Sequence, residues 1–389
     1  MRPCLPPYLF GCAFCYEGAL TEKRVRNRSV NNVMSEIDAV FADNPHVRYI
    51  CFVDDTFTLD ARRIKEFCYH LTEKRKQHDF VWFCESRVDF ILKHPDLIEM
   101  MKLAGLVAIQ IGIESGELMV LQAYNKKITP EQIEQAVAIC YEKKIPSVYA
   151  NYIIGGAFES KQTIENSMSH AKRLIAMAPG MVDLHTLFFA PYPETPMTKH
   201  PEQFGIRILE TESMECISSM ESCVLETQDL TYTEITQLRS WFDTTILAEM
   251  EQSLSSCSLQ QLITITENFR KYNVYSRWFD ILSRSEFLYK FVVMLQKGEA
   301  TLSSNIMADK LPDLIPYRCC DTPTIKDQCM TLGNETFDAL STKLYLAASG
   351  KRTVTKIVDD LKGQFHKLQI DMAIDQYQLF EHKRMLCFL

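Results

Sequence analysis

The chain reads as an α/β protein: a partial TIM-like (β/α) barrel, followed by a helical C-terminal extension and a small end domain. Three observations predict this. Short apolar runs rich in β-branched and aromatic residues recur through the first two hundred residues, stretches of helical period separate them, and polar residues collect where the apolar runs stop. Near-continuous apolar strands alternating with helices describe a parallel sheet covered by helices. A sheet of that kind curling on itself presents its chemistry where strands end and loops begin.

Taken in order, Ser29 followed by Val30, Val33, Ile37, Val40 and Phe41 predicts a capped amphipathic helix. Residues 47–53 form the first buried run, and residues 60–78 return to a helical period with Ile64, Phe67, Cys68 and Leu71 on one face. The run 80–84 is the next strand, residues 97–103 the next helix, and 106–111 the next strand. A helix over Pro130–Glu142 begins with proline where a missing N–H is harmless. Strands at 147–154 and 182–189 then flank a helix at 162–177. Asp54, Asp55, Glu85, Arg87, Glu114, Ser115, Asn151 and Gly155 all fall at or near strand ends, although polar residues are common at such places in any fold.

Beyond residue 205 the strand signal disappears, which sets domain expectations of 1–205, 206–330 and 331–389. Cys216 and Cys223 lie in a Glu/Ser-rich connecting stretch, and residues 233–253 and 258–297 read as long helices. Their aromatic residues, Trp241, Phe242, Phe269, Trp278, Phe279 and Phe287, suit a core, with lining of a substrate cavity as the alternative. In the last segment a helix from Phe337 to Ala348 stops at Gly350, and Lys351-Arg352-Thr353-Val354 caps another over 355–364.

Composition bounds the function. The chain has 389 residues, 47% of them apolar, and a net charge of −8, so wholesale binding to a phosphate backbone has no electrostatic driving force. No apolar run approaches a membrane span and the N-terminus lacks the apolar core of a signal peptide, so a cytoplasmic location with reduced thiols is expected.

The chemistry is concentrated in the first fifteen residues, where Cys4, Cys12 and Cys15 share one Pro/Gly-punctuated loop. A Cys-x-x-Cys pair lets one turn of backbone aim two thiolates at a point, and a third can arrive from a looser loop. Such an arrangement suits a metal or an iron–sulfur cluster. A zinc site, a redox pair or chance clustering among the chain's 14 cysteines fits those two residues as well.

Together with the segments downstream of it, this loop resembles the radical S-adenosylmethionine (SAM) superfamily, most closely the branch often associated with cobalamin-binding domains. The resemblance covers roughly residues 1–200. It rests on Phe14 before the last cysteine, Gly112-Ile113-Glu114-Ser115-Gly116, Ile154-Gly155-Gly156 and Tyr192-Pro193-Glu194-Thr195-Pro196. The sequence departs from the family in two respects. Seven residues separate Cys4 from Cys12 where three are usual, and only three residues precede Cys4, where a barrel strand is expected. Nothing resembles a cobalamin-binding domain.

The resemblance implies a [4Fe–4S] cluster on Cys4, Cys12 and Cys15. It also implies a SAM site touching Phe14, Asp54, Asp55, Arg87, Glu114, Ser115, Asn151, Gly155 and Pro191. One-electron reduction by a flavodoxin- or ferredoxin-type donor would cleave SAM to a 5′-deoxyadenosyl radical that abstracts substrate hydrogen. Cobalamin, if used, would have to bind without its usual domain or arrive on a separate chain. From the residues alone, Arg87 is equally suited to a salt bridge with Glu85 or Asp89. The end segment is weakly similar to the winged-helix peptide-recognition domains of enzymes that modify ribosomal peptides, and equally to a generic helical hairpin. A precursor peptide is therefore the first substrate expectation. A small-molecule methyltransferase or rearrangement enzyme is the second, and a non-enzymatic zinc- or cluster-binding interaction protein the third. Cys319, Cys320 and Cys329 lack the Cys-x-x-Cys units of a second cluster, and none is expected there.

Overall fold

The computed structural model describes residues 11–15, 27–54, 56–209, 222–320, 323–332 and 335–389. The chain divides into two compact units, Met1–Cys257 with Glu267–Trp278, and Ser258–Thr266 with Phe279–Leu389.

The first unit is built on a five-stranded sheet whose spatial order follows the chain, β1 (Tyr49–Phe52), β2 (Val81–Ser86), β3 (Leu106–Glu114), β4 (Ser147–Ile154) and β5 (Val182–Phe188). Every neighbouring pair is parallel. Sequential parallel strands with helical crossovers are the expected partial barrel. The helices that precede and connect them are α1 (Val30–Asp43), α2 (Ala61–Arg75), α3 (Val88–Lys93), α4 (Pro95–Leu103), α5 (Leu118–Ala123), α6 (Pro130–Glu142) and α7 (Lys161–Met177). Local sequence fixes their starts. Ser29 accepts the Asn32 N–H and Asp60 those of Arg62 and Arg63, while Thr129 with Gln132 and Ser160 with Thr163 form reciprocal capping boxes. Each such cap is worth about 1 kcal/mol.

Side chains alternate between the two faces of the sheet. Trp82 and Cys84, Ile109 and Ile111, Ala150 and Tyr152, and Leu184 and Thr186 are fully or almost fully buried beneath the helices. The alternate positions Glu85, Gln110, Asn151 and His185 are only half-buried and face the inside of the barrel. Register places Gly112 beside Asn151 and Asn151 beside His185, and Glu85 beside Gln110. Lower on this face Tyr272 and Val274 pack with Val81, Val107 and Ala108 and fill the barrel floor. Trp278 donates its indole N–H to the Val182 carbonyl at 2.7 Å, and Arg277 N donates to Asp183 Oδ2 at 2.9 Å.

After β5 come the one-turn helix α8 (Pro196–Lys199), the antiparallel pair β6 (Ile206–Ile208) and β7 (Leu225–Thr227), and α9 (Tyr232–Ser253). The expected helix over 258–297 is three: α10 (Leu259–Tyr272), α11 (Arg277–Arg284) and α12 (Glu286–Gln296). Asn273 ends the first in a left-handed conformation (φ 55°), and Ser285, in extended geometry, precedes the third. The apolar periodicity runs through these breaks and hides them.

In the second unit, strands occur where none was expected: β8 (Pro316–Arg318), β9 (Thr324–Lys326), β10 (Cys329–Leu332), β11 (Glu335–Phe337) and β12 (Leu386–Phe388). At three or four residues they are too short to show a period of two. The order β11-β10-β9 is antiparallel throughout, and β12 pairs antiparallel with β8. Helices α13 (Ala339–Ala347), α14 (Val354–Leu361) and α15 (Ile370–His382) lie between β11 and β12 in the chain, with Thr353 capping α14 by accepting the Lys356 N–H. Their core gathers Met330, Leu344, Ile357, Tyr377, Phe380 and Leu386. Tyr377 donates to the Leu344 carbonyl at 2.9 Å. Cys319 and Cys320 are buried and Cys329 half-buried, all as free thiols.

Candidate functional site

Cys12 and Cys15 occupy one turn closed by a Cys15 N–H to Cys12 carbonyl bond of 3.2 Å, and both thiols are free and half-buried. Cys4 and Asp55 lie outside the described residues. No group of three or more His, Cys, Asp and Glu that could hold a metal ion gathers among the described residues. Two thiols on a tight turn fit a thiolate-held metal or cluster.

Two segments hold the turn from opposite sides. Ala13 N donates to the Tyr124 carbonyl at 2.9 Å, and Asn125 Nδ2 donates to the Gly11 carbonyl at 2.8 Å. From the other side Met197 N, in the first turn of α8, donates to the Ala13 carbonyl at 3.1 Å. Thr195 caps α8 by accepting the Thr198 N–H, so the Tyr192–Pro196 segment delivers a helix start to the cysteine turn. Pro191 is buried just ahead of it. Phe14 is set edge-on to the Tyr124 ring, centroids 5.2 Å apart.

Glu114 ends β3 in a left-handed conformation (φ 64°), next to a register shift in the β3–β4 pairing. Its carboxylate is buried and paired with Lys126 Nζ at 2.6 Å. A Cβ on Gly112 would meet the ends of both side chains of this pair, so the pair lies directly against the β3 backbone there. Lys126 also lies 5.8 Å from the centroid of the Phe14 ring. Burial is the largest influence on the Cys12 thiol and raises its pKa; the Lys126 charge opposes it, followed by influences from Glu114 and Arg87. Burial would lower the Lys126 ammonium, but Glu114 and then Cys12 outweigh it and hold that pKa above the ordinary lysine value. Cys12, Phe14, Glu114, Lys126 and Arg87 therefore share one electrostatic neighbourhood.

The remaining predicted residues divide. Arg87 begins α3 and donates to Asp89 Oδ1 at 2.9 Å, one of the salt bridges anticipated for it. Asn151 is half-buried on the inner face of β4, while Asp54 is exposed after β1. Ser115 is fully buried: its hydroxyl bonds Ser167 at 3.1 Å and accepts the Glu117 N–H at 3.1 Å, anchoring the turn to α7. Gly155 has φ 85°, and its N–H and that of Gly156 donate to Glu159 Oε2 at 2.6 and 2.9 Å. The approaches left open by the missing Cβ atoms of Gly155 and Gly156 are taken by Ile235 and by the Tyr124 hydroxyl, side chains of this chain.

Residues 9–171 match the sequence profile of the Radical SAM superfamily. The chain carries a radical SAM domain. It is 30% identical over 165 residues to "Uncharacterized methyltransferase PH0819" of Pyrococcus horikoshii, covering 42% of this chain and 35% of that protein. It is 26% identical over 159 residues to the anaerobic magnesium-protoporphyrin IX monomethyl ester cyclase of Cereibacter sphaeroides, covering 41% and 25%. The chain thus spans about a third or less of the length of these curated relatives. Among solved structures, the radical SAM methyltransferase TsrM of Kitasatospora setae, with tryptophan and a SAM analogue bound, aligns at a TM-score of 0.44. That alignment has 16% identity and covers 52% of this chain and 40% of that one. Radical SAM family members are enzymes, and the family implies a [4Fe–4S] cluster and SAM. No helix of the described residues is long and apolar enough to cross a membrane.

The sequence alone did not single out Lys126, Tyr124, Asn125 or Glu159. Lys126 stands in the polar run Tyr124–Thr129 and reads as a solvated loop residue. Glu159, three residues beyond Gly156, reads as a helix-start acid, whereas it is buried under the Gly155–Gly156 turn. A glutamate so soon after a glycine pair was the one available signal.

Proposed function

We propose that this radical SAM enzyme binds a [4Fe–4S] cluster through Cys4, Cys12 and Cys15 and modifies a ribosomally made peptide. The observation that carries the cluster reading is the Cys12–Cys15 turn, clamped between Tyr124-Asn125 and Met197 with Phe14 beside Glu114 and Lys126. When bound, the cluster and SAM would supply one-electron radical chemistry, with a flavodoxin- or ferredoxin-type donor as the reductant. The chain's own residues orient SAM and shield it from water: Glu114 toward a hydroxyl or ammonium group, Arg87 toward a carboxylate, and the half-buried Asn151 along the inner sheet face. Asp54, Asp55, Ser115, Gly155 and Pro191 complete the proposed SAM-side set, with Ser115 and Gly155 acting through the turns they shape.

The peptide reading is supported by the C-terminal β11-β10-β9 sheet with its neighbouring helices. An antiparallel sheet can accept an extended peptide as a further strand along an outer edge. A cytoplasmic setting suits both a labile cluster and such a substrate. The second reading, a small-molecule methyltransferase or rearrangement enzyme, is favoured by the names of the curated relatives. If methyl transfer in that reading uses cobalamin, the cobalamin binds without its usual domain or arrives on a separate chain.

Anaerobically reconstituted protein given SAM and a reductant tests the first part: 5′-deoxyadenosine should form, and none should form without iron. Peptides encoded beside the gene test the second. Tight binding and a mass change in one of them support peptide modification, while turnover of a small molecule with no peptide bound refutes it.

A further inference from the structure

Among the described residues, the charged groups that act on the Cys12 thiol are Lys126, Glu114 and Arg87. Arg87 is already directed to Asp89, and Glu114 to Lys126. Among the described residues Lys126 is a cation tied to the turn's own elements: its ammonium sits over Phe14, between Cys12 and Cys15 in sequence, and its two preceding residues grip the turn. Its side chain is 12% exposed and that of Glu114 10%. Lysine is costly to bury, and a single carboxylate repays that cost only with good geometry. The pair closes against the β3 backbone at Gly112.

We propose that Lys126 is a positioning residue that sets the reduction potential of an iron–sulfur cluster held at Cys12 and Cys15, with Glu114 as its counter-charge. The inference rests on the cluster reading above. A cluster that gains an electron becomes more negative. A fixed ammonium nearby favours that state and a fixed carboxylate opposes it. The two side chains therefore act with opposite sign on one equilibrium.

The test is a redox titration of the full chain, reconstituted anaerobically, with dithionite as reductant and the paramagnetic signal of the reduced cluster as readout. Iron per chain is measured in parallel. K126M should move the midpoint to more negative potential, K126R should stay near the unaltered chain, and E114Q should move it to more positive potential. Fully loaded K126M and E114Q with unchanged midpoints would overturn the proposal while leaving the cluster reading intact. If K126M fails to retain iron, E114Q decides: a positive shift supports the proposal, and no shift assigns Lys126 a merely structural role. An unaltered chain that takes up no iron would overturn both.

Discussion

Glu159 Oε2 accepts the Gly155 N–H at 2.6 Å, so a buried carboxylate closes the turn that ends β4. Its Oε1 is buried with no hydrogen-bond partner, and burial is the largest influence on the group, raising its pKa to about 7 against two opposing backbone bonds. The folded chain therefore holds a proton here that the unfolded chain has already released. Stability from this group is fully present below pH 4.5, the ordinary value, and is lost as pH rises through about 7. The full difference is about 3 kcal/mol. Glu159→Gln keeps an acceptor for both glycine N–H groups without the charge. Its melting temperature should match the unaltered chain near pH 4.5 and exceed it at pH 8. Parallel melting curves across that range would refute the assignment.

The same turn makes a second prediction. A Cβ on Gly156 would fall on the Tyr124 hydroxyl, and Tyr124 is the residue whose carbonyl receives Ala13 N. Gly156→Ala should destabilise the domain by about 1–3 kcal/mol through overpacking. It should also loosen the cysteine turn. Adding Tyr124→Phe removes the atom in the way and should recover part of the loss in chemical denaturation. Additive losses in the double variant would show that the two residues do not meet.

Asn125→Ala deletes the side-chain bond to the Gly11 carbonyl but leaves the Ala13–Tyr124 backbone bond. About 1 kcal/mol of local stability should go with it. Iron retention under a chelator is the sensitive measurement, because it reports the turn rather than the whole domain. A faster loss of iron at unchanged melting temperature is the expected result; equal rates would remove Asn125 from the clamp.

The barrel was legible because its strands are short runs of mostly apolar residues alternating with helical periods. Residues 147–154 and 130–142 were bounded correctly from apolar runs and a proline start alone. The radical SAM resemblance likewise came from short segments, Gly112–Gly116 and Tyr192–Pro196, that the fold brings around one end of the sheet. What stayed hidden has physical causes. Strands β8–β12 are too short for a period, and the breaks at Asn273 and Ser285 interrupt backbone geometry without interrupting hydrophobicity. Ser115 and Gly155, expected at a SAM site, make hydrogen bonds to Ser167 and Glu159 within the chain. A sequence shows that a polar group stands at a strand end, not which partner completes it. Lys126 shows the converse: a lysine in a polar run is buried beside a carboxylate at the end of β3, Glu114.

The cysteines themselves give the last prediction. Cys12 and Cys15 share a single turn, so replacing either with alanine removes a donor that no neighbour among the described residues can supply. Both variants should lose most bound iron and all 5′-deoxyadenosine formation while keeping the unaltered far-ultraviolet spectrum, since neither thiol packs the core. Cys4→Ala separates two arrangements. If Cys4 is the third ligand, this variant behaves like the other two. If another donor stands in its place, iron and SAM cleavage persist and the seven-residue spacing between Cys4 and Cys12 is incidental. Retained zinc instead of iron in the unaltered chain, in tetrahedral coordination by X-ray absorption, would replace the cluster with a structural ion.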